Sequence, residues 1–125
     1  MFYGYLEEIK SKLEELGIFK SVEIGLEKGA GKSVNTPLAR IVVSSVDYRG
    51  SLADLHLIIV VGLDLKNDIP ELYRQFLDVT KNIRKKLYEI PALVQVEGLV
   101  TDEDRLENIK AGAIKVTLKG LPYEG

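Results

Sequence analysis

The string closest to a known chemistry is Gly29-Ala30-Gly31-Lys32-Ser33, the end of a phosphate-binding loop. Such a loop needs a glycine five positions before the Gly of Gly-Lys-Ser, a strand in front and a helix opening at the Lys-Ser end. Position 26 is leucine, with Gly25 one place off, and Val34-Asn35-Thr36-Pro37 leads toward a strand. Without a helix N-terminus the cradle of backbone donors is missing. The sequence therefore predicts a flexible loop over 28–37 and no nucleotide. His56 is the only histidine, and general base catalysis needs a group to orient the ring and a reacting atom within reach. The pattern around it offers neither, and a sheet residue with a satisfied ring nitrogen is the expected role. Asp102, Glu103, Asp104 and Glu107 lack the twelve-residue calcium loop with its central glycine, so they read as an acidic hairpin turn over 101–107. Lys81, Arg84, Lys85 and Lys86 crowd one stretch at helical spacing. They could touch phosphates, or simply complement the negative end of a helix macrodipole.

Composition narrows the classes further. The chain has 125 residues, 46% of them apolar and 29% charged, with a net charge of −2, which fits one globular domain over 1–125. A net charge so near zero gives no global attraction to nucleic acid. With no cysteine, thiolate chemistry and cysteine-ligated zinc are excluded. The first residues carry no basic and apolar leader pattern, and the longest uncharged run, Leu55 to Leu63, is too short to span a bilayer. Cytoplasmic synthesis without membrane contact is the expectation. Six tyrosines are scattered and form no base-stacking platform. No catalytic residue, metal ligand, cofactor or small-molecule substrate is predicted, and the chain reads as a non-enzyme.

The elements that would position these residues are clear from periodicity. Leu6, Ile9, Leu13 and Leu16 recur at helical spacing and Gly17 supplies a stop. Val22, Ile24 and Leu26 alternate as a first strand. A second strand is predicted over about 39–46, a turn at Asp47-Tyr48-Arg49-Gly50, and a third strand over about 52–63. In that third strand Leu55, Leu57, Ile59, Val61 and Leu63 line one face and Ile58 and Val60 the other, which makes it the expected centre of the sheet. From Asp68 to Ile90 an apolar stripe runs through Ile69, Leu72, Phe76, Val79, Ile83 and Leu87, with Asp68 and Glu71 in capping-box position. Two more strands follow, about 92–100 and 109–119. The order α-β-β-β-α-β-β predicts an α+β domain, a mostly antiparallel five-stranded sheet packed on two helices. Two helices cover one face of such a sheet, and the other face is a first hint of a partner. The leading α-β-β-β-α order is that of double-stranded-RNA-binding domains, but Asp68-Ile69-Pro70-Glu71 would repel phosphate where those domains grip it.

Taken whole, the chain resembles the tail-terminator and tail-completion (minor tail) proteins of tailed bacteriophages and prophages. The resemblance rests on the N-terminal helix Tyr5 to Leu16, a glycine-bearing loop before Pro37-Leu38-Ala39-Arg40-Ile41-Val42-Val43, and the hairpin into Leu55-His56-Leu57-Ile58-Ile59-Val60-Val61. The long helix with Ile83 and Leu87 near its end and a two-stranded C-terminus complete it. It implies a homo-oligomeric ring, usually a hexamer, that terminates the tail tube and docks it to the head. Partners would be the tube protein, a neck or connector protein, and DNA passing non-specifically through the channel. The setting would be the host bacterial cytoplasm during assembly and then the virion tail. No catalytic residue is carried over. Candidate interaction residues are Lys28, Gly29, Gly31 and Lys32 in the first loop, Tyr48 and Arg49 at the turn, and Lys81, Arg84 and Lys85 on the helix. The alternative is a small cytoplasmic protein-binding or regulatory domain acting as monomer or dimer.

Overall fold

The structure, a computed structural model, describes residues 2–25, 37–64, 69–102 and 109–122. The elements are α1 (Phe2–Glu15), β1 (Ser21–Ile24), β2 (Leu38–Arg49), β3 (Leu52–Asp64), α2 (Ile69–Leu87), β4 (Leu93–Asp102) and β5 (Ile109–Pro122). Helix α1 buries Leu6, Ile9 and Leu13, the residues its spacing selects, and stops where Gly17 takes φ 69°. That left-handed conformation is open to glycine without a Cβ clash.

All five strands join one mixed sheet in the order β1-β2-β3-β5-β4. β1 runs parallel to β2, and every other pair is antiparallel. β3 is the central strand, with β2 and β5 on its two sides. Its odd-numbered residues from Leu55 to Leu63 are at most 3% exposed, and they meet Leu6, Ile9 and Leu13 of α1 and Phe76, Ile83 and Leu87 of α2 in one core. Both helices therefore lie on one face. His56, Ile58 and Val60 point to the other, half-buried, with neither helix over them. The two helices are also tied to each other, by Lys12 to Glu89 at 3.3 Å and Lys86 to Glu15 at 3.1 Å.

Several boundaries move from their expected places. Asp47, Tyr48 and Arg49 belong to β2, not to a turn: they pair with Asp54, Ala53 and Leu52, and only Gly50 and Ser51 make the bend. Once the two strands continue in register, a two-residue connection with Gly50 at φ 61° closes the hairpin. β4 and β5 each run a few residues past the predicted ends. Asp68, the predicted cap of α2, lies outside the described residues, as do the side chains of Ile69 and Leu72. So do residues 103–107 of the acidic turn, while Thr101 and Asp102 finish β4.

Candidate functional site

Among the described residues, the sheet face away from the helices carries the densest polar arrangement. An extra residue interrupts the pairing of β2 between Val43 and Ser45, and another that of β4 between Val96 and Gly98. Gly98 accommodates the second bulge at φ 132°, where a side chain would be strained. These bulges flank the row that contains His56 and Thr117, which pair directly across β3 and β5. Together they shape a shallow concavity of about 300 Å³ whose lining includes Ser45, His56, Ile58, Glu97, Lys115 and Thr117.

Within it one hydrogen-bond chain crosses four strands. His56 Nε2 lies 2.9 Å from Asp47 Oδ2 of β2, and Nδ1 lies 3.0 Å from Thr117 Oγ1 of β5. Thr117 in turn donates to Glu97 Oε2 of β4 at 3.0 Å. A threonine hydroxyl has one hydrogen and a carboxylate none. All three links therefore close together only when both ring nitrogens carry hydrogen. The order Asp–His–Thr is that of a hydroxyl-activating relay, but Thr117 is 2% exposed and its hydrogen is committed to Glu97. What this geometry does is tie β2, β3, β5 and β4 together across their bulges. His56 is a sheet residue as expected, and both ring nitrogens, not one, have partners. Asp47 and Glu97, the two ends of the chain, are not evident in the sequence because Asp47 sits in a turn-like string and Glu97 at a bulge that no local pattern announces. Thr117 alone left a trace, as an uncharged residue between Lys115 and Lys119 in the outward row of β5.

Nearby, Arg49 Nη2 binds Asp54 Oδ1 at 2.8 Å, and the same oxygen accepts the Gly120 backbone N–H at 3.0 Å. The Arg49 hydrogen bond, followed by that of Gly120, holds the Asp54 carboxyl below the ordinary range, and Asp54 raises Arg49 in return. Tyr48, 59% exposed, sets its ring 6.5 Å from that of Phe2. Arg40, only 4% exposed, sends Nη1 to the carbonyls of Ala39 and Ser21, across the joint of β1 and β2.

The basic cluster on α2 divides. Lys86 turns inward between the helices to Glu15 and Glu89, whereas Lys81, Arg84 and Lys85 face solvent. Arg84 lies over the Tyr88 ring, 4.9 Å from its centroid, a cation–π contact. The structure thus keeps Tyr48 and Arg49 on the β2–β3 ribbon and Lys81, Arg84 and Lys85 on α2, with no contact between the two groups among those described. Lys28, Gly29, Gly31 and Lys32 lie outside the described residues, and with them the expectation of a flexible loop. Among the described residues, no three His, Asp or Glu side chains converge as metal ligands, and no helix is long and apolar enough to cross a membrane.

Compared with known proteins, the chain matches no family model and no curated protein by sequence.

Proposed function

We propose that this chain is a structural assembly protein of a phage or prophage tail, forming a homo-oligomeric ring, usually a hexamer, that terminates the tail tube and docks it to the neck. The observation that carries the reading is the one-sided cover of the sheet. Both helices pack on a single face, and among the described residues neither the opposite face nor the outer edges of β1 and β4 have a helix or strand against them, which makes them candidate surfaces for neighbours. The element order that underlies the resemblance is also the order of the folded chain. Tube and neck proteins are the partners this reading requires, with DNA touching the channel wall without sequence preference. Assembly would take place in the host cytoplasm, and the protein would end in the virion tail.

Light scattering across a concentration series, with capping of purified tail tubes, tests the proposal. A ring at high concentration, or tubes whose growth stops when the protein is added, is the expected result. Deleting residues 29–35 should leave a folded subunit that neither assembles nor caps. A chain that stays monomeric at millimolar concentration and leaves tubes uncapped would end this reading. The second reading, a monomeric or dimeric binding domain, is favoured by the internal closure of the His56 hydrogen-bond chain, which needs no partner to satisfy its polar groups.

A further inference from the structure

Each helix has an outer stripe as regular as its buried one. At about 100° per residue, Leu77, Lys81, Arg84, Lys85 and Tyr88 fall together on the solvent side of α2, away from the buried Phe76, Ile83, Leu87 and Ile90. On α1 the corresponding set is Tyr3, Glu7, Ser11 and Glu14, turned away from Leu6, Ile9 and Leu13. Both stripes carry exposed large side chains: Leu77 is 65% exposed, Tyr3 57% and Tyr88 46%. They differ in sign. The charged residues of the α1 stripe are both carboxylates: Lys10, at its margin, binds Glu23, and Lys12 lies off the stripe and binds Glu89. The α2 stripe holds only cations, with Asp78 at its margin and Glu71 occupied by Arg74 at 2.7 Å.

We propose that the outer stripe of α2 docks the outer stripe of α1 from a second copy of this chain. Complementary charge selects that occupant and orients it. The exposed Leu77 and Tyr88 select it over a nucleic-acid backbone, since phosphates gain nothing from an apolar side chain, whereas Tyr3 of the acidic stripe does. Aromatic and apolar anchors ringed by charge are the composition of a protein–protein joint. The two stripes are different patches, so each copy offers one donor and one acceptor surface. Such a contact closes as a dimer when reciprocated about a two-fold axis; otherwise it gives a ring if its rotation closes and an open filament if it does not. The inference rests on the assembly reading only in supposing that copies of the chain associate.

Two charge-reversed variants test it, Glu7→Lys with Glu14→Lys, and Lys81→Glu with Lys85→Glu. Each alone should weaken self-association by about tenfold or more, because like charges then meet across the joint. Mixed one to one they should reassemble, with equal numbers of each variant in every particle, and the fourfold variant should assemble by itself. Rescue on mixing also shows that both variants are folded. Should each variant assemble like the parent, or should mixing fail to restore what each lost, the joint is wrong while the ring reading survives through another surface. A parent chain that is monomeric at every concentration removes both. If Lys81→Glu with Lys85→Glu loses binding to a short DNA duplex but keeps its oligomeric state, the stripe serves nucleic acid and this proposal is overturned.

Discussion

The two faces of β3 are made by neighbouring residues of one strand, yet they obey different rules. On the helix side Leu55, Leu57, Ile59 and Val61 are at most 1% exposed, and stability comes from apolar area removed from water. On the open side the positions between them hold His56, Ile58 and Val60, all half-buried, and the organising contacts are hydrogen bonds between strands. One face is held by packing against helices that are distant in sequence, the other by a polar chain that fits only if the register of four strands is correct. The first supplies most of the folding free energy and, through its alternating apolar pattern, sets the register, which the second then satisfies with hydrogen bonds.

The comparison predicts unequal responses to the same kind of substitution. Phe76→Ala should cost about 3–5 kcal/mol, since that ring is 1% exposed in the covered core. One residue apart on β3, Ile59→Ala should cost about 2–5 kcal/mol and Val60→Ala about 1 kcal/mol or less, both read from urea unfolding of dilute protein. Equal costs for Ile59→Ala and Val60→Ala would mean that the open face is covered after all. Thr117→Val keeps the shape and removes the hydroxyl that joins His56 to Glu97. It should cost about 1–2 kcal/mol, the net worth of the lost hydrogen bonds. A neutral result would show that the polar chain adds no stability.

A pH series sharpens the same contrast. Asp54 is held below its ordinary range chiefly by Arg49, so the stability from this group is present above the unfolded carboxyl value of about 3.9 and is lost as pH falls through the lower folded value. Asp54→Asn should therefore flatten the acid limb of the stability curve and leave neutral-pH packing intact. If the acid limb is unchanged, the Arg49–Asp54 pair is too well screened to matter. The smallest expected effect is none. Millimolar ATP with magnesium should leave the melting temperature unchanged; a saturable rise would reveal a native-state nucleotide site and overturn the reading of Gly29–Ser33 as a plain loop if it vanished in Lys32→Ala.

How much of this was legible depends on whether the signal is local. The α1 stripe, the Gly17 stop, the two-faced alternation of β3 and its central place all follow from residues a few positions apart, and all stand in the fold. Phe76, Ile83, Leu87 and Ile90 are buried as their spacing requires, with Val79 half-buried at the margin. What was not legible depends on register between distant strands. Asp47 gave a turn signal by composition, but continuous pairing with Asp54 overrides it. The partners of His56 come from positions 47 and 117, and Glu97, the extra residue at the β4 bulge, reaches Thr117. The inward turn of Lys86, away from its neighbours in sequence, likewise required the position of Glu15 on another helix.

Strand order has a consequence for how the chain is made. β5 sits between β3 and β4, so β4 leaves the ribosome before its one neighbour among the described strands exists. The earlier strands can zip at once, β2 to β3 through a two-residue bend, but β4 must wait as an unpaired segment until β5 threads in beside it. Synthesis thus produces a half-built sheet in which β3 offers one open edge and β4 is unsatisfied on both sides. This is an interval of exposure to sticking and proteolysis. We predict that chains stalled after Asp102 are cut by added protease within β4, and that chains extended beyond Pro122 are protected there. Equal cutting in both would show that β4 finds shelter elsewhere during translation.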